Sequence, residues 1–578
     1  MIRILTFFLL FVSAILFSQA PLATAVFPDN QEISAQPNGI ISVTFDTPLD
    51  LATVAYGNFK VFGRWSGPAE LAFSMSNNDQ TVEKTTFEPL MAGEWVTVTL
   101  TKSIKSASGE NMEKAYVWNF WIATVPPSAN EVEFTLIKTI ELREPGESVL
   151  QSYGAYAGDL NNDGYSDLTV VNETSDDLRI LLNDGTGDYN DFEIIPLGNN
   201  TTPSPNEGAD FDNDGEIDLA VCTAHNNDLR VLFGDGSGTL ANMDNYTTGS
   251  SARGLGIIEL DGDGNDDIVI ANRESSNLSF FLNDGTGNFT SSNLSTPGLG
   301  HSGLVVTDFN NDGIQDLIIG MYTSSEVVVM LGDGNMGFIM SEQVSISGQP
   351  WMLAVGDLNE DGFADIVSIN SSGADISVLL NDGNGGFQST TYLSDNNASF
   401  GVAIDLGDLD GDGDLDIVSS FYTTGNYLIF YNDGTGSFTS GPVLNASNNA
   451  SCTILHDRDN DGDLDISATD EGDDVVLLFD NHPAPLATND FESALIISVR
   501  PNPFQEVLSI ALNQDCADCE VFIYNNLGVL VKTIPLNQTD NFPWNGDNYN
   551  GVQVSPGVYF LKIGNGTLFE VVKVVRGK

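Results

Sequence analysis

Basic residues are scarce in this sequence: 20 Lys and Arg stand against 81 Asp and Glu in 578 residues, a formal net charge of −61. A field of that sign repels nucleic acid and anionic lipid, which argues against both as partners, and makes metal cations the natural counter-ions. Histidine is rarer still. His225, His301, His456 and His482 show no HxxxH or HxH spacing, so a zinc hydrolase centre is not in view. The only cysteines, Cys222, Cys452, Cys516 and Cys519, are too few for a disulfide framework in a chain this long. Cys516-Ala-Asp-Cys519 has CxxC spacing but no βαβ surroundings, and reads as a local disulfide or two free thiols. No GxSxG elbow or P-loop occurs, and the GxGxxG matches at Gly298–Gly303 and Gly332–Gly337 lie in turns that open no helix. Nothing in these absences points to an enzyme.

Long apolar runs are missing beyond the N-terminus. Arg3, the run Ile4–Phe17 and Ala23-Thr24-Ala25 follow the pattern of a signal peptide, residues 1–25, with cleavage expected after Ala25. A run of about 14 apolar residues is short of the roughly 20 a membrane span needs, so the mature chain is expected to be exported without a transmembrane segment. With 41% hydrophobic residues the acidity does not mean disorder, and the length calls for several domains.

What the sequence does have is a repeat. DxDxDGxxD, with Asn allowed at position 3, begins at Asp159, Asp210, Glu259, Asp308, Asp357, Asp408 and Asp457, at intervals of 49 to 51 residues. Oxygen ligands at positions 1, 3 and 5, a turn glycine at 6, a backbone carbonyl at 7 and Asp at 9 let one short loop wrap a hard cation, and the donor set selects Ca2+ over Mg2+, Zn2+ or copper. Up to seven structural Ca2+ sites are expected. Their ligands are Asp159, Asn161, Asp163, Tyr165 and Asp167; Asp210, Asp212, Asp214, Glu216 and Asp218; Glu259, Asp261, Asp263, Asn265 and Asp267; Asp308, Asn310, Asp312, Ile314 and Asp316. The remaining three loops offer Asp357, Asn359, Asp361, Phe363 and Asp365; Asp408, Asp410, Asp412, Asp414 and Asp416; Asp457, Asp459, Asp461, Asp463 and Asp465. Residues at position 7 serve through their carbonyls. Glu259, in place of Asp, makes the third loop the departure from the pattern. An EF-hand is excluded, because position 12 is Val170 in the first copy and Ser419 in the sixth where Glu is needed.

Strand-like runs such as LTVVN and LIIGM follow each loop, and NDG or GDG turns, as in LLNDGTGDY, follow about 15 residues later in the first six copies. A strand before the loop and one after the turn complete four strands per repeat, the content of a propeller blade. The seventh copy ends at VVLLFDNH, without its last strand, while Glu133–Glu144 precedes the first loop at the spacing of one. The start of the repeat region is expected to complete the final blade and remove a free sheet edge.

Residues 131–482 therefore resemble the FG-GAP/VCBS repeat family, the propeller type of integrin α-chains. The resemblance implies Ca2+ in loops on one face and any partner site in loops on the other. It implies no reaction, since the family includes adhesins, scaffolds and propellers joined to polysaccharide-degrading enzymes.

The flanks complete an all-β reading: a seven-bladed β-propeller between an N-terminal Ig-like β-sandwich and a small C-terminal β-sandwich. Residues 27–124, with Phe45–Asp50 and Trp118–Phe120, resemble bacterial Ig-like domains, a spacer or docking module with a core aromatic cluster. After a linker at 483–493, residues 494–578 carry RPNPF at Arg500–Phe504, WNGDNYNGVQVSPGVYFLKI and a terminal KVVRGK. These resemble the type A sorting domain of the type IX secretion system of Bacteroidota. That resemblance implies passage through the outer membrane by that machinery, then release or attachment at the cell surface.

On the partner face the propeller rule singles out Trp351, Tyr153, Tyr156, Phe400, Tyr422, Arg253 and Arg273, although such residues more often pack or face solvent. The expected function is non-catalytic: a secreted or surface calcium-binding scaffold for adhesion to an extracellular glycan or protein. The alternatives are a propeller-based polysaccharide lyase or hydrolase, and a purely structural surface component.

Overall fold

The computed structural model describes residues 19–125 and 132–483, apart from 55, 241 and 374, and in the C-terminal part 497–577 with breaks at 501–503, 506, 513–519, 526–529, 536–541, 550 and 565–568. The apolar run of the signal peptide, nearly all of the linker, and Cys516 and Cys519 lie outside the described residues. The chain divides into two compact units, 1–484 and 485–578.

Seven four-stranded antiparallel sheets make up most of the first unit. Blade 1 runs outward through Ser152–Gly158, Asp167–Asn172, Asp177–Leu181 and Glu193–Pro196. The inner strands of blades 2 to 6 are Pro203–Ala209, Ala252–Ile258, His301–Thr307, Pro350–Gly356 and Gly401–Gly407. Each inner strand neighbours the next, and that of blade 7, Ala450–His456, returns to blade 1. In blade 7 the outer strand is Val132–Glu141, paired with Val475–Pro483 in the register Val475↔Glu141 to Pro483↔Val132, as the closure argument expected. Second strands such as Asp316–Met321 are buried at every residue, being covered on both faces by neighbouring blades, which is why they read as unbroken apolar runs. Outer strands such as Phe338–Ser345 are largely exposed.

The Ig-like module is a sandwich of two four-stranded sheets around Val43, Phe45, Phe59, Val98, Trp118 and Phe120. Its first strand is Ala23–Phe27, paired with Ile40–Phe45, and the Leu22 amide donates to Asp46. A cut after Ala25 would fall inside that strand. The small residues that fitted a cleavage site are here strand residues.

The second unit holds the sheets Ile497–Arg500, Leu508–Leu512, Phe542–Trp544 and Leu530–Pro535, Glu520–Asn525, Gly557–Gly564, Phe569–Arg576, around Phe504, Ile510, Ile523, Trp544 and Leu561. Two short 3-10 turns, Leu51–Thr53 and Tyr56–Asn58, are the only helical elements among the described residues, and none is long and apolar enough to cross a membrane.

Candidate functional site

The acidic loops join inner to second strands on one face, and their shape is written into the backbone. Position 6 is glycine with φ from 80° to 99° in all seven copies. Position 4 is left-handed as well: Asn162, Asn213, Asn311, Glu360 and Asn460 have φ of 57° to 59°, and Gly262 and Gly411 take 83° and 72°. The motif reading caught the first and missed the second, although Asn and Gly at position 4 were its signal. In loop 1 the Asp159 carboxylate accepts from the Asp163 and Gly164 amides at 3.0 and 2.8 Å, and Asn161 and Asp163 accept from amides two residues on. These bonds fix the donor oxygens in place. Glu259 does the same in loop 3, taking the Asp261, Gly262 and Gly264 amides, so the longer side chain fits.

Carboxylate oxygens of Asp210, Asp212 and Asp218, of Glu259, Asp261 and Asp263, of Asp408, Asp410 and Asp416, and of Asp457, Asp459 and Asp461 lie within 4.8 Å of one another in each set. Loops 1, 4 and 5 carry Asn161, Asn310 and Asn359 at position 3, which lowers the charge but keeps an oxygen donor. Burial first, and neighbouring carboxylates after it, push Asp210 and Asp457 up to about 7 and Asp308 up to about 8. Buried oxygens of Asp210, Asp457 and Asp459 have no hydrogen-bond partner. Hard oxygens, crowded like charges and orphaned buried acceptors together fit a divalent cation of high coordination number. Loop 7 is different. Arg458 at its position 2 pairs with Asp480 at 2.6 Å and Asp465 at 3.4 Å, donates to the Gly187 carbonyl of blade 1, and already neutralises part of the candidate donor set.

The loop face is covered. The Ig-like module meets every loop but the fifth through hydrogen bonds: Asp159 N–H to Trp65, Lys60 to Asn213, Lys102 N–H to Gly262, Val117 N–H to Gly313, Thr124 to Asp408 and Val125 N–H to Gly462. Arg64 enters the central channel and pairs with Glu207 of blade 2 at 3.2 Å and Asp405 of blade 6 at 3.4 Å. Burial lowers the Arg64 guanidinium, but the two carboxylates outweigh it and hold it above its ordinary value. Tyr156 belongs here too, not to the partner face: it is buried and its hydroxyl donates to the Arg64 carbonyl at 2.6 Å. The channel holds a cavity of about 330 Å3 lined by all seven inner strands.

At the opposite mouth the other six candidates stand close together. Trp351 of blade 5 spans to blade 1, its Nε1 donating to the Tyr153 hydroxyl at 2.6 Å. Rings continue from Trp351 to Phe400 at 5.5 Å between centroids and from Phe400 to Tyr422 at 6.2 Å. Arg273 stacks on Trp351, and Arg253 pairs with Glu173 at 3.2 Å. Tyr322, Glu173 and Glu471 complete the mouth and were missed, because single loop residues of different blades carry no mutual signal in sequence.

A closed ring of blades with a sandwich on one face and an open mouth on the other defines an all-β propeller. Models of an FG-GAP-like repeat match residues 159–221, 259–319, 308–368, 357–419 and 408–468; a bacterial Ig-like domain matches 18–121 and a secretion system C-terminal sorting domain 498–576. The chain carries FG-GAP-like repeats, a bacterial Ig-like domain and a C-terminal sorting domain, and is exported through the outer membrane to the cell surface or beyond. No curated protein is significantly similar to it. Among solved structures it is similar to BBS1N, crystallised in complex with ARL6DN and soaked with lead, at 12% identity over 60% of this chain and 98% of that one, with a TM-score of 0.42. It is also similar to a putative 6-phosphogluconolactonase from Bacteroides uniformis, at 12% identity over 68% and 95%, with a TM-score of 0.38.

Proposed function

We propose that this protein is a non-catalytic binding scaffold: calcium stiffens the loop face, the Ig-like module caps that face, and the opposite mouth meets an extracellular ligand. The observation that carries the reading is the division of labour between the two faces. One is spent on the Ig-like module, while the other gathers half-buried aromatic and Arg side chains from five blades around an opening. Asp159, Asp210, Glu259, Asp308, Asp357, Asp408 and Asp457, with their partners at positions 3, 5 and 9 and the carbonyls at 7, would hold the ions. A bound Ca2+ supplies positive charge where several carboxylates crowd. Six of the loops form hydrogen bonds with the Ig-like module, so the same charge balance bears on its docking.

The test is a thermal melt of the secreted protein in EDTA and in millimolar Ca2+, then a glycan-array screen of the calcium form with a product assay. A large calcium-dependent rise in Tm, selective binding and no product support the reading. Absence of a calcium effect removes the ion sites, and product formation replaces the scaffold with an enzyme.

A further inference from the structure

The open mouth holds two guanidinium groups that the chain's own carboxylates leave poorly matched. The Arg273 guanidinium lies 4.4 Å from the Trp351 ring centroid and 4.6 Å from that of Tyr322, and its Nη2 donates to Ser302 Oγ at 2.6 Å. The charged or titratable groups that act on it are Arg253, Tyr153 and Tyr322, with no carboxylate among them, and burial followed by Arg253 lowers it to about 10. Arg253 Nη1 divides its donation between Glu173 Oε1 and Ser204 Oγ, each at 3.2 Å. The Nε atoms of both arginines are buried without a partner. In a chain with 81 acidic and 20 basic side chains, a stacked arginine without a carboxylate is an exception that calls for an anion from outside.

The rest of the mouth narrows the anion's class. Phe400 and Tyr422 are half-buried and continue the aromatic strip from Trp351, a surface that suits the apolar face of a pyranose ring. Glu173 and Glu471 stand beside it as acceptors, Glu471 already taking the Tyr422 hydroxyl at 3.1 Å. They would accept sugar hydroxyls and repel a second carboxylate, as would the net charge of −61. An acidic peptide or a polyuronate brings several such charges; a single uronate among neutral sugars brings one.

We propose that the mouth opposite the acidic loops binds a glycan through one hexuronate unit, with Arg273 meeting the carboxylate and the Phe400–Tyr422 strip meeting the ring. The proposal rests on the scaffold reading and specifies its ligand.

The experiment is calorimetric titration of the full secreted protein in saturating Ca2+ with a neutral oligosaccharide ending in one glucuronate, and with the same oligosaccharide reduced at that carboxyl. The acid form is expected to bind at least tenfold more tightly than the reduced form. Arg273→Gln should bring the two together, and Arg273→Lys, which keeps charge but loses the planar fork, should fall between. A Tm near that of wild type shows that each variant folds, and the comparison of acid and reduced sugar on wild type stands without them. Equal binding of the two sugars, no binding of either, or tighter binding of an Asp-rich peptide overturns the proposal. If neither sugar binds while the array yields a neutral glycan, the uronate assignment fails and the scaffold stands; if the array yields nothing, both fail.

Discussion

Replacing Asn381 by alanine removes a clamp between two blades. The residue opens the NDG turn of blade 5 and is fully buried. Its Nδ2 donates to the Phe309 carbonyl in the acidic loop of blade 4 at 2.8 Å and to the Ala364 carbonyl of its own loop at 3.0 Å, while Oδ1 accepts from the Gly383 amide at 2.9 Å. Three hydrogen bonds, two of them buried and one part-buried, at about 1 kcal/mol each put the loss near 3 kcal/mol. Over roughly 350 cooperative residues an unfolding entropy of about 2.1 cal/mol/K per residue gives about 0.7 kcal/mol/K, so Tm should fall by about 4 °C. Differential scanning calorimetry in saturating Ca2+ reads the shift, with exposed Ser389→Ala on the same blade as the control. Asn381→Asp should fall further, because it loses both donors and buries a carboxylate near Asp365. An alanine variant within about 1 °C of wild type, or an aspartate variant milder than alanine, would refute the clamp. Blades 2 and 4 have Gly234 and Gly332 at this position, where a Cβ would meet the Ile217 and Gln315 carbonyls at 2.3 and 2.5 Å, so the clamp cannot be added there.

Other outcomes follow from particular residues. Glu360→Asn should raise stability by roughly 1 kcal/mol in denaturant melts, since Glu360 holds φ at 57° and stands by Asp414, which burial and then Glu360 push up to about 7. His301 is buried, and burial lowers it to about 4. Its folded value lies below the unfolded one near 6.5, so protonation favours the unfolded chain and stability falls as pH drops through that window, by up to about 3 kcal/mol; His301→Asn should flatten that part of the pH profile relative to wild type. Mass spectrometry of the exported protein should find an N-terminus upstream of residue 22, because Ala23, Ala25, Val26 and Phe27 pair with Phe45, Thr44, Val43 and Ser42.

The sequence by itself determined what is local and repeated. A loop that must bring oxygens to positions 1, 3, 5 and 9 needs those residues at that spacing, so the seven acidic loops were legible one by one and their period counted the blades. The closing strand was legible too, because a blade lacking its fourth strand leaves an edge that some other segment must pair, and Val132–Glu141 had the spacing. What the tertiary structure decided are meetings between residues far apart in the chain. The Asn of each NDG turn reads as turn chemistry, and only the neighbouring blade shows that it is also a clamp. Arg64 finds Glu207 and Asp405 only once the sandwich sits on the channel, and the same docking draws Tyr156 away from the partner face. Arg273, Tyr322 and Trp351 come from three blades. Repeat periodicity reports each blade's own hydrogen-bonded ladder, whereas the side chains at the hub are set by the closure of the ring and by the module that covers it, and neither leaves a pattern within a single repeat.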